Sequence, residues 1–290
     1  MCLFVILLNW NRCDDTLACI DSLQKQSFTG AQLVVVDQGS TDQSITKIKD
    51  AFPDVLCLEN GANLGFARGI NVGIQWALDQ GADWILLLNN DTIVDPQLLD
   101  KLMAQRQKDA AVLSPAIFYL EPPDQIWSTG GQLHPLLLEM TGNHGRDEKL
   151  PLEPVEREFL SGCALLVKRQ LFETIGLFDE RFFMYYEDLD FCLRIKQAGF
   201  KMLLVPDAYL WHKVSQSSGG ANSPNERYQM ARSSGIYFRK HMCGIGCIVI
   251  PIYRMLSAIR WSVRLAGGRQ WQALHAYWRG LRDGWFRSME

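Results

Sequence analysis

The chain has eight cysteines and no CxxC pair among them, and most of the eight lie inside apolar runs. That pattern argues against a zinc site or a disulfide framework and for a reducing cytosol. A secretory leader is also missing. The apolar run at residues 3–8 has no basic segment before it and passes directly into Asn9-Trp10-Asn11. Nowhere do the roughly eighteen successive apolar residues of a membrane span occur; the longest candidate, residues 243–253, stops at Arg254. No internal repeat is visible. A GxGxxG turn is absent after the first apolar run, where Asn9-Trp10-Asn11-Arg12 stands instead. This removes the dinucleotide-dependent oxidoreductases.

Positive charge is scarce in the body of the chain and concentrated at its end. The formal charge over 290 residues is −3. Residues 225–290 hold eleven Lys and Arg against three Asp and Glu, a surplus of eight, which leaves residues 1–224 at −11. A basic tail on an acidic body predicts contact with an anionic surface; the plainer alternative is a solvated helical tail. No nucleic-acid partner is expected.

The length suits one large α/β domain with an appendage. Apolar runs at 3–8, 33–36, 55–58 and 84–88 predict strands. Stretches 14–24, 41–52, 63–80 and 96–107 predict helices, the first with Asp14 or Asp15 as N-cap. This alternation predicts a parallel sheet covered on both faces. Residues 111–170 predict mixed strands and loops, with a polar stretch at 141–158. A short helix over 169–175, a helix over 187–198 and a strand over 201–205 follow, then a Ser/Gly/Asn-rich mobile loop at 215–225. In the tail, Ile252, Leu256, Ile259 and Val263 share one helical face, with Arg254, Arg260 and Arg264 to one side. Trp261, Trp271, Trp278 and Trp285 add candidate interfacial anchors. Such a helix lies in a membrane interface, or else packs its stripe on the catalytic domain or a second copy.

In open α/β sheets ligands sit at the carboxyl ends of strands. Asn9 and Asn11 follow the first strand, Asp37 ends the second, and Asn89-Asn90-Asp91 ends the fourth. Asn and Asp also favour turns, so each alone has a plain explanation; for Asp37 this is an Asx-turn into the next helix, with Asp42 in that helix's first turn. A carboxylate at a strand end can accept from a base or a ribose. One Asp beside amide oxygens is sufficient for a hard cation that also takes phosphate oxygens. Glu187-Asp188-Leu189-Asp190 opens a helix. Asp190 can pair with Arg194 at i, i+4, which leaves Glu187 and Asp188 for general-base work or for acidic capping. His212, beyond the last strand, suits a metal ligand or a structural role.

These stretches resemble glycosyltransferase family 2 with the GT-A fold, and most of all its rhamnosyltransferase-like members. The matching pieces are residues 5–11, 34–42, 63–71, 87–91, Ser161-Gly162-Cys163 and 186–194, so the resemblance spans residues 3–215. It implies a GT-A catalytic domain at 1–215, with a Rossmann-like nucleotide-binding half at 1–110, an acceptor half at 111–215, a mixed central sheet and a C-terminal helical extension at 216–290. By the same resemblance, Asp37 and Arg68 hold the nucleotide, and Asn9, Asn11, Asn89 and Asn90 line its pocket. Asp91 and His212 hold Mg²⁺ or Mn²⁺. Asp188, in the Glu187-Asp188 pair, is the base, and Gly162 and Asp190 meet the sugars. The implied reaction is inverting transfer from a dTDP- or UDP-sugar, such as dTDP-rhamnose, to a glycan or lipid-linked acceptor at the inner face of the cytoplasmic membrane. The sequence departs from the family's Asp-x-Asp element at Asn89. That change also admits a non-catalytic nucleotide-sugar or glycan-binding protein, against which the intact Glu187-Asp188 and His212 count.

Overall fold

A computed structural model describes residues 1–141, 150–214 and 222–287. The chain opens with β1 (Leu3–Asn9), α1 (Cys13–Gln24), β2 (Ala31–Asp37), α2 (Ser44–Ala51), β3 (Leu56–Glu59), α3 (Phe66–Asp79), β4 (Trp84–Asn89), β5 (Thr92–Val94) and α4 (Leu98–Ala104). It continues with β6 (Val112–Tyr119), β7 (Ile126–Ser128), β8 (Gln132–Leu133), β9 (Met140–Thr141), β10 (Val155–Arg157), β11 (Ala164–Lys168), α5 (Arg169–Ile175), α6 (Glu187–Gln197) and β12 (Met202–His212). Three helices close it: α7 (Pro224–His241), α8 (Gly246–Gly267) and α9 (Trp271–Phe286).

The main sheet runs β10-β12-β6-β11-β4-β1-β2-β3, with β5 on β12 and β7 on β6. Strands β1 to β4 form the parallel part, as the alternation predicts. β11 runs antiparallel between β4 and β6, so the sheet is mixed. From Leu3 to Leu8 β1 is apolar because both its faces are covered. Phe4 and Ile6 pack with Ile70 and Ile74 of α3, while Leu3, Val5 and Leu7 pack with Cys19 and Ile20 of α1. Each such side chain contributes roughly 1.5–3 kcal/mol on burial, which leaves no room for a polar residue there.

Three departures from the sequence expectations shape the site. β5 was not anticipated. The last strand continues past Val205 and Pro206, with a register shift against β6 between Val205 and Tyr209, and ends at His212 itself. A proline is tolerated where the ladder is already interrupted. The N-terminus of α1 is also organised differently. Neither Asp14 nor Asp15 caps it; Oδ2 of Asp42 accepts from the Cys13 amide at 3.1 Å, and Oδ1 of the same residue accepts from the Ser44 amide at 3.1 Å. One carboxylate thus serves the starts of α1 and α2.

The C-terminal helices are built onto the part of the body that carries α6. Ile236, Tyr237 and Phe238 of α7 and Ile250 of α8 belong to the same apolar core as Phe191 and Leu193 of α6. α8 also corrects an expectation: by length and composition, with mean hydropathy 1.2, this 22-residue helix is long and apolar enough to cross a membrane. Residues 142–149 of the expected polar stretch and 215–221 of the expected loop lie outside the described residues.

Candidate active site

Pairing registers draw the chemistry-bearing residues to one end of the sheet. Ala164 of β11 lies opposite Leu88 of β4, and the Asn89 amide donates to the Cys163 carbonyl at 2.9 Å. Ser161-Gly162-Cys163 therefore flanks Asn89-Asn90-Asp91. β5 reverses beside β12, which places His212 opposite Thr92. His212 and Asp91 become neighbours although 121 residues apart, with Nε2 of His212 at 3.0 Å from Oδ1 of Asp91. Both side chains are buried and both line the main cleft.

The Asp91–His212 pair offers one carboxylate and one imidazole nitrogen. No third His, Cys, Asp or Glu joins them to make a larger metal-binding group among the described residues. That set fits a cation completed by phosphate oxygens, since hard divalent ions need only one or two carboxylates from the protein. Nδ1 of His212 is buried without a hydrogen-bond partner, and the ring packs edge-on against Trp127.

Several residues assigned to the nucleotide lie elsewhere. Asn9 is fully buried beneath the cleft. Its Nδ2 donates to Oδ1 of Asp37 at 2.7 Å and to Oγ of Ser40 at 3.1 Å, and its Oδ1 accepts from Thr16 Oγ1 at 2.8 Å. Asp37 also accepts from the amide and hydroxyl of Ser40, at 2.9 and 2.5 Å. Asn9 and Asp37 thus hold each other and the Asx-turn that follows, and neither lines the cleft. Asn11 is occupied in the same turn, accepting from the Thr41 amide at 2.7 Å. Arg68 is exposed, 3.7 Å from Glu180, and is not part of the cleft wall. Asn89 and Asn90 do line it, with Asn90 donating to Thr16 Oγ1 at 2.8 Å. Beside them stand Trp10, Arg12 and Gln38, which the strand-end argument passed over.

The second wall is the start of α6. Asp188 Oδ2 accepts from the Gly162 amide at 3.2 Å, and Oδ1 accepts from the Leu189 amide at 2.8 Å. Glu187 is buried, and its carboxyl is pushed up to about 8 by burial and then by the charge of Asp188. Tyr185 and Tyr186 precede it with φ of 68° and 67°. Two successive non-glycine residues in the left-handed region cost roughly 1–2 kcal/mol each and persist only where the surroundings hold them. Those surroundings are α7: Ser233 Oγ donates to the Met184 carbonyl at 2.8 Å, and the Tyr186 ring packs on Tyr237 and Phe238. On the other side, the Phe66 amide donates to the Phe183 carbonyl at 2.6 Å, and Gly65 permits that approach because a Cβ there would collide with Phe183.

Asp190, expected at the sugars, does not line the cleft. It is fully buried, and Arg194 (2.9 Å), Lys240 (2.6 Å) and His241 (2.7 Å) surround it. Its pairing with Arg194 follows the i, i+4 expectation, while Lys240 and His241 come from α7, where sequence spacing gave no signal.

The cleft encloses about 620 Å³. Trp127, Phe159 and Met184 give it an apolar side, and Glu226 and Met230 of α7 complete it. An open α/β sheet with Asp91 and His212 paired at one strand end and the Asp188 carboxylate on the same cleft has the layout of the GT-A fold. The family model "Glycosyl transferase family 2" matches residues 4–176. The chain belongs to glycosyltransferase family 2. It is 33% identical over 225 residues, covering 68% of this chain and 71% of the relative, to an N-acetylglucosaminyl-diphospho-decaprenol L-rhamnosyltransferase of Mycobacterium tuberculosis. It is 26% identical over 240 residues, covering 77% and 75%, to the dTDP-rhamnosyl transferase RfbF of Shigella flexneri. Among solved structures, the Pyrobaculum calidifontis mannosyltransferase PcManGT with GDP-Man and Mn²⁺ matches 99% of this chain and 88% of its own at TM-score 0.60 and 14% identity. GalNAc-T7 with UDP, GalNAc and Mn²⁺ matches 81% of this chain and 48% of its own at TM-score 0.62 and 17% identity. These likenesses establish the GT-A fold.

Proposed function

We propose that this protein is an inverting, divalent-cation-dependent glycosyltransferase that moves a sugar, rhamnose from dTDP-rhamnose in the first instance, to a lipid-linked glycan acceptor in cell-surface polysaccharide synthesis. The observation that carries the reading is that Asp188 and the Asp91–His212 pair line one cleft. Asp188 takes the proton of the acceptor hydroxyl as that oxygen attacks the anomeric carbon, and the nucleoside diphosphate leaves on the side of Asp91. The amides of Gly162 and Leu189 orient the Asp188 carboxylate. Asp91 and His212 are the residues that would hold Mg²⁺ or Mn²⁺, whose chemistry is to neutralise the leaving diphosphate. The relatives named for rhamnosyl transfer support the donor, and the one named for a decaprenyl-linked substrate supports a lipid-linked acceptor.

The same reading places the protein on the inner face of the cytoplasmic membrane. Ile248, Ile252, Met255, Leu256, Ile259 and Val263 form an exposed apolar stripe on α8, with Trp271 and Trp278 exposed beyond it. The opposite face of α8 is committed to protein: Arg254 donates to Glu139 at 2.8 Å and to Ser234 at 3.0 Å, and Ala258 and Leu265 are buried. A helix so divided suits the plane of the interface better than a span. Arg254 is therefore unavailable to headgroups, and Arg260, Arg264 and Arg269 are the exposed arginines of this region. Glu139 also lines the cleft, so the acceptor side lies about one helix diameter, roughly 10 Å, from the apolar stripe.

The test is a screen of purified protein with dTDP-rhamnose and several UDP- and dTDP-sugars, with Mn²⁺ or Mg²⁺, following nucleoside diphosphate release. Release above the protein-free rate with at least one donor is expected. Tight donor binding without release under any condition would instead favour a non-catalytic binding protein.

A further inference from the structure

We propose that Glu187 is held as a neutral carboxylic acid and donates a hydrogen bond from Oε2 to a sugar hydroxyl in the cleft, making it a recognition residue beside the base. This rests on the reading that the start of α6 meets the sugars.

Glu187 lines the cleft yet is only 8% exposed. Its Oε2 is buried without a hydrogen-bond partner. Buried polar groups are almost always hydrogen-bonded, and for this one, on a residue of the cleft wall, the bound sugar supplies the partner. The charged groups acting on Glu187 are Asp188 and Asp190, both of its own sign. Arg194, Lys240 and His241 all face Asp190, and none of them is among the charges acting on Glu187. The helix N-terminus and Glu187's own amide favour the anion, but burial and the Asp188 charge outweigh them and set the carboxyl at about 8.

Below that value Glu187 carries one O–H donor, where an ionised carboxylate carries none. The neighbouring Asp188 has the opposite environment, with two backbone amides donating to it. Adjacent carboxyl groups held in such different surroundings divide the roles of acid and base between them. Here the ionised member takes the acceptor proton, and the neutral member holds a sugar hydroxyl against an otherwise apolar wall.

The test compares Glu187→Gln, which keeps a neutral donor of the same shape, with Glu187→Ala. Glu187→Gln should stay within about tenfold of wild-type transfer, while Glu187→Ala should lose roughly a hundredfold or more, the scale of one preorganised donor. Wild-type activity should fall as pH rises through about 8, and the glutamine variant should lack that limb. Running donor hydrolysis alone and transfer to acceptor side by side assigns the hydroxyl, since a loss in both arms places it on the donor and a loss in transfer alone on the acceptor. A glutamine variant as inactive as alanine would overturn the proposal, because the charge would then be required. Carbon-13 NMR of the glutamate carboxyls, with Glu187 assigned from the variant, reads protonation without turnover. An ionised Glu187 at pH 7 overturns the proposal even if no donor is turned over, whereas a protonated one with no turnover leaves it standing and sinks the enzymatic reading instead.

Discussion

The Gly162 amide donates to Oδ2 of Asp188 across 26 residues of sequence, joining the loop before β11 to the first turn of α6. The contact works because residue 162 has no side chain: a Cβ there would sit 3.2 Å from Cβ of Asp188 and 3.6 Å from Oδ2. The carboxylate is thereby fixed by a backbone group from the central sheet, an arrangement that leaves little freedom at the reacting centre.

Gly162→Ala should therefore displace the base without unfolding the protein. Expected is a kcat reduced roughly tenfold, since misplacement of less than 1 Å is costly in near-attack geometry, with donor KM nearly unchanged. Asp188→Asn should cost ~10²–10⁴-fold in kcat with donor affinity retained. An alanine variant with wild-type kcat would show that the amide contact does not position the base.

Asp91 and His212 give a separable prediction. Binding of dTDP, read by calorimetry, should strengthen when Mn²⁺ is added to the wild-type protein. That gain should drop at least roughly tenfold in Asp91→Ala and His212→Gln, as metal sites do when their support is removed. Full transfer activity in excess EDTA would exclude the cation altogether.

Much of this site was legible before the fold was known, and the failures have one cause. Residues 169–175 and the start of α6 at Glu187 were read correctly because their signals are local: a closing Gly176 and a run of N-terminal acids. β5 was missed because three residues after a turn carry almost no periodicity, and its pairing with β12 is non-local. Asn9 and Asp37 were read as ligand groups from their strand-end positions, and their 2.7 Å contact with each other was not visible there because the pairing is non-local. Lys240 and His241 reach Asp190 from α7, beyond the stretch the family motifs cover. No spacing rule predicts that.

The cluster around Asp190 predicts acid sensitivity. Burial raises the Asp190 carboxyl, but the His241 hydrogen bond and the charges of Arg194 and Lys240 lower it by more. Its folded pKa lies below the unfolded value of ~3.9, so its contribution is present above that pH and is lost as pH falls through the folded value. Asp190→Asn should destabilise by about 3 kcal/mol at neutral pH, the scale of breaking a buried pair. The difference from wild type should shrink towards pH 3. Urea unfolding at both pH values measures it, and an undiminished difference in acid would assign the loss to packing instead of charge.

The exposed stripe of α8 predicts peripheral binding to anionic membranes. Ile252, Leu256, Ile259 and Val263 are 51–68% exposed, while the other face of the helix is held by the Arg254–Glu139 pair. Replacing the stripe is a sharper probe than truncation near residue 240, because removing α9 would expose the face of α7 that buries Ala231 against Tyr277 and Leu281. Each basic residue near an anionic surface contributes about 1 kcal/mol, and Arg260, Arg264 and Arg269 are exposed near the stripe. Wild-type protein should co-sediment with phosphatidylglycerol-rich vesicles at low salt and release as salt rises over a Debye length shorter than ~10 Å. A variant with Ile252, Leu256, Ile259 and Val263 all changed to Ser should stay in the supernatant while keeping its thermal midpoint and its turnover of soluble donor. If that variant still sediments with vesicles, the stripe is not the membrane contact. If wild type stays in the supernatant and runs as a dimer that the four substitutions dissociate, the stripe is a seam between two copies.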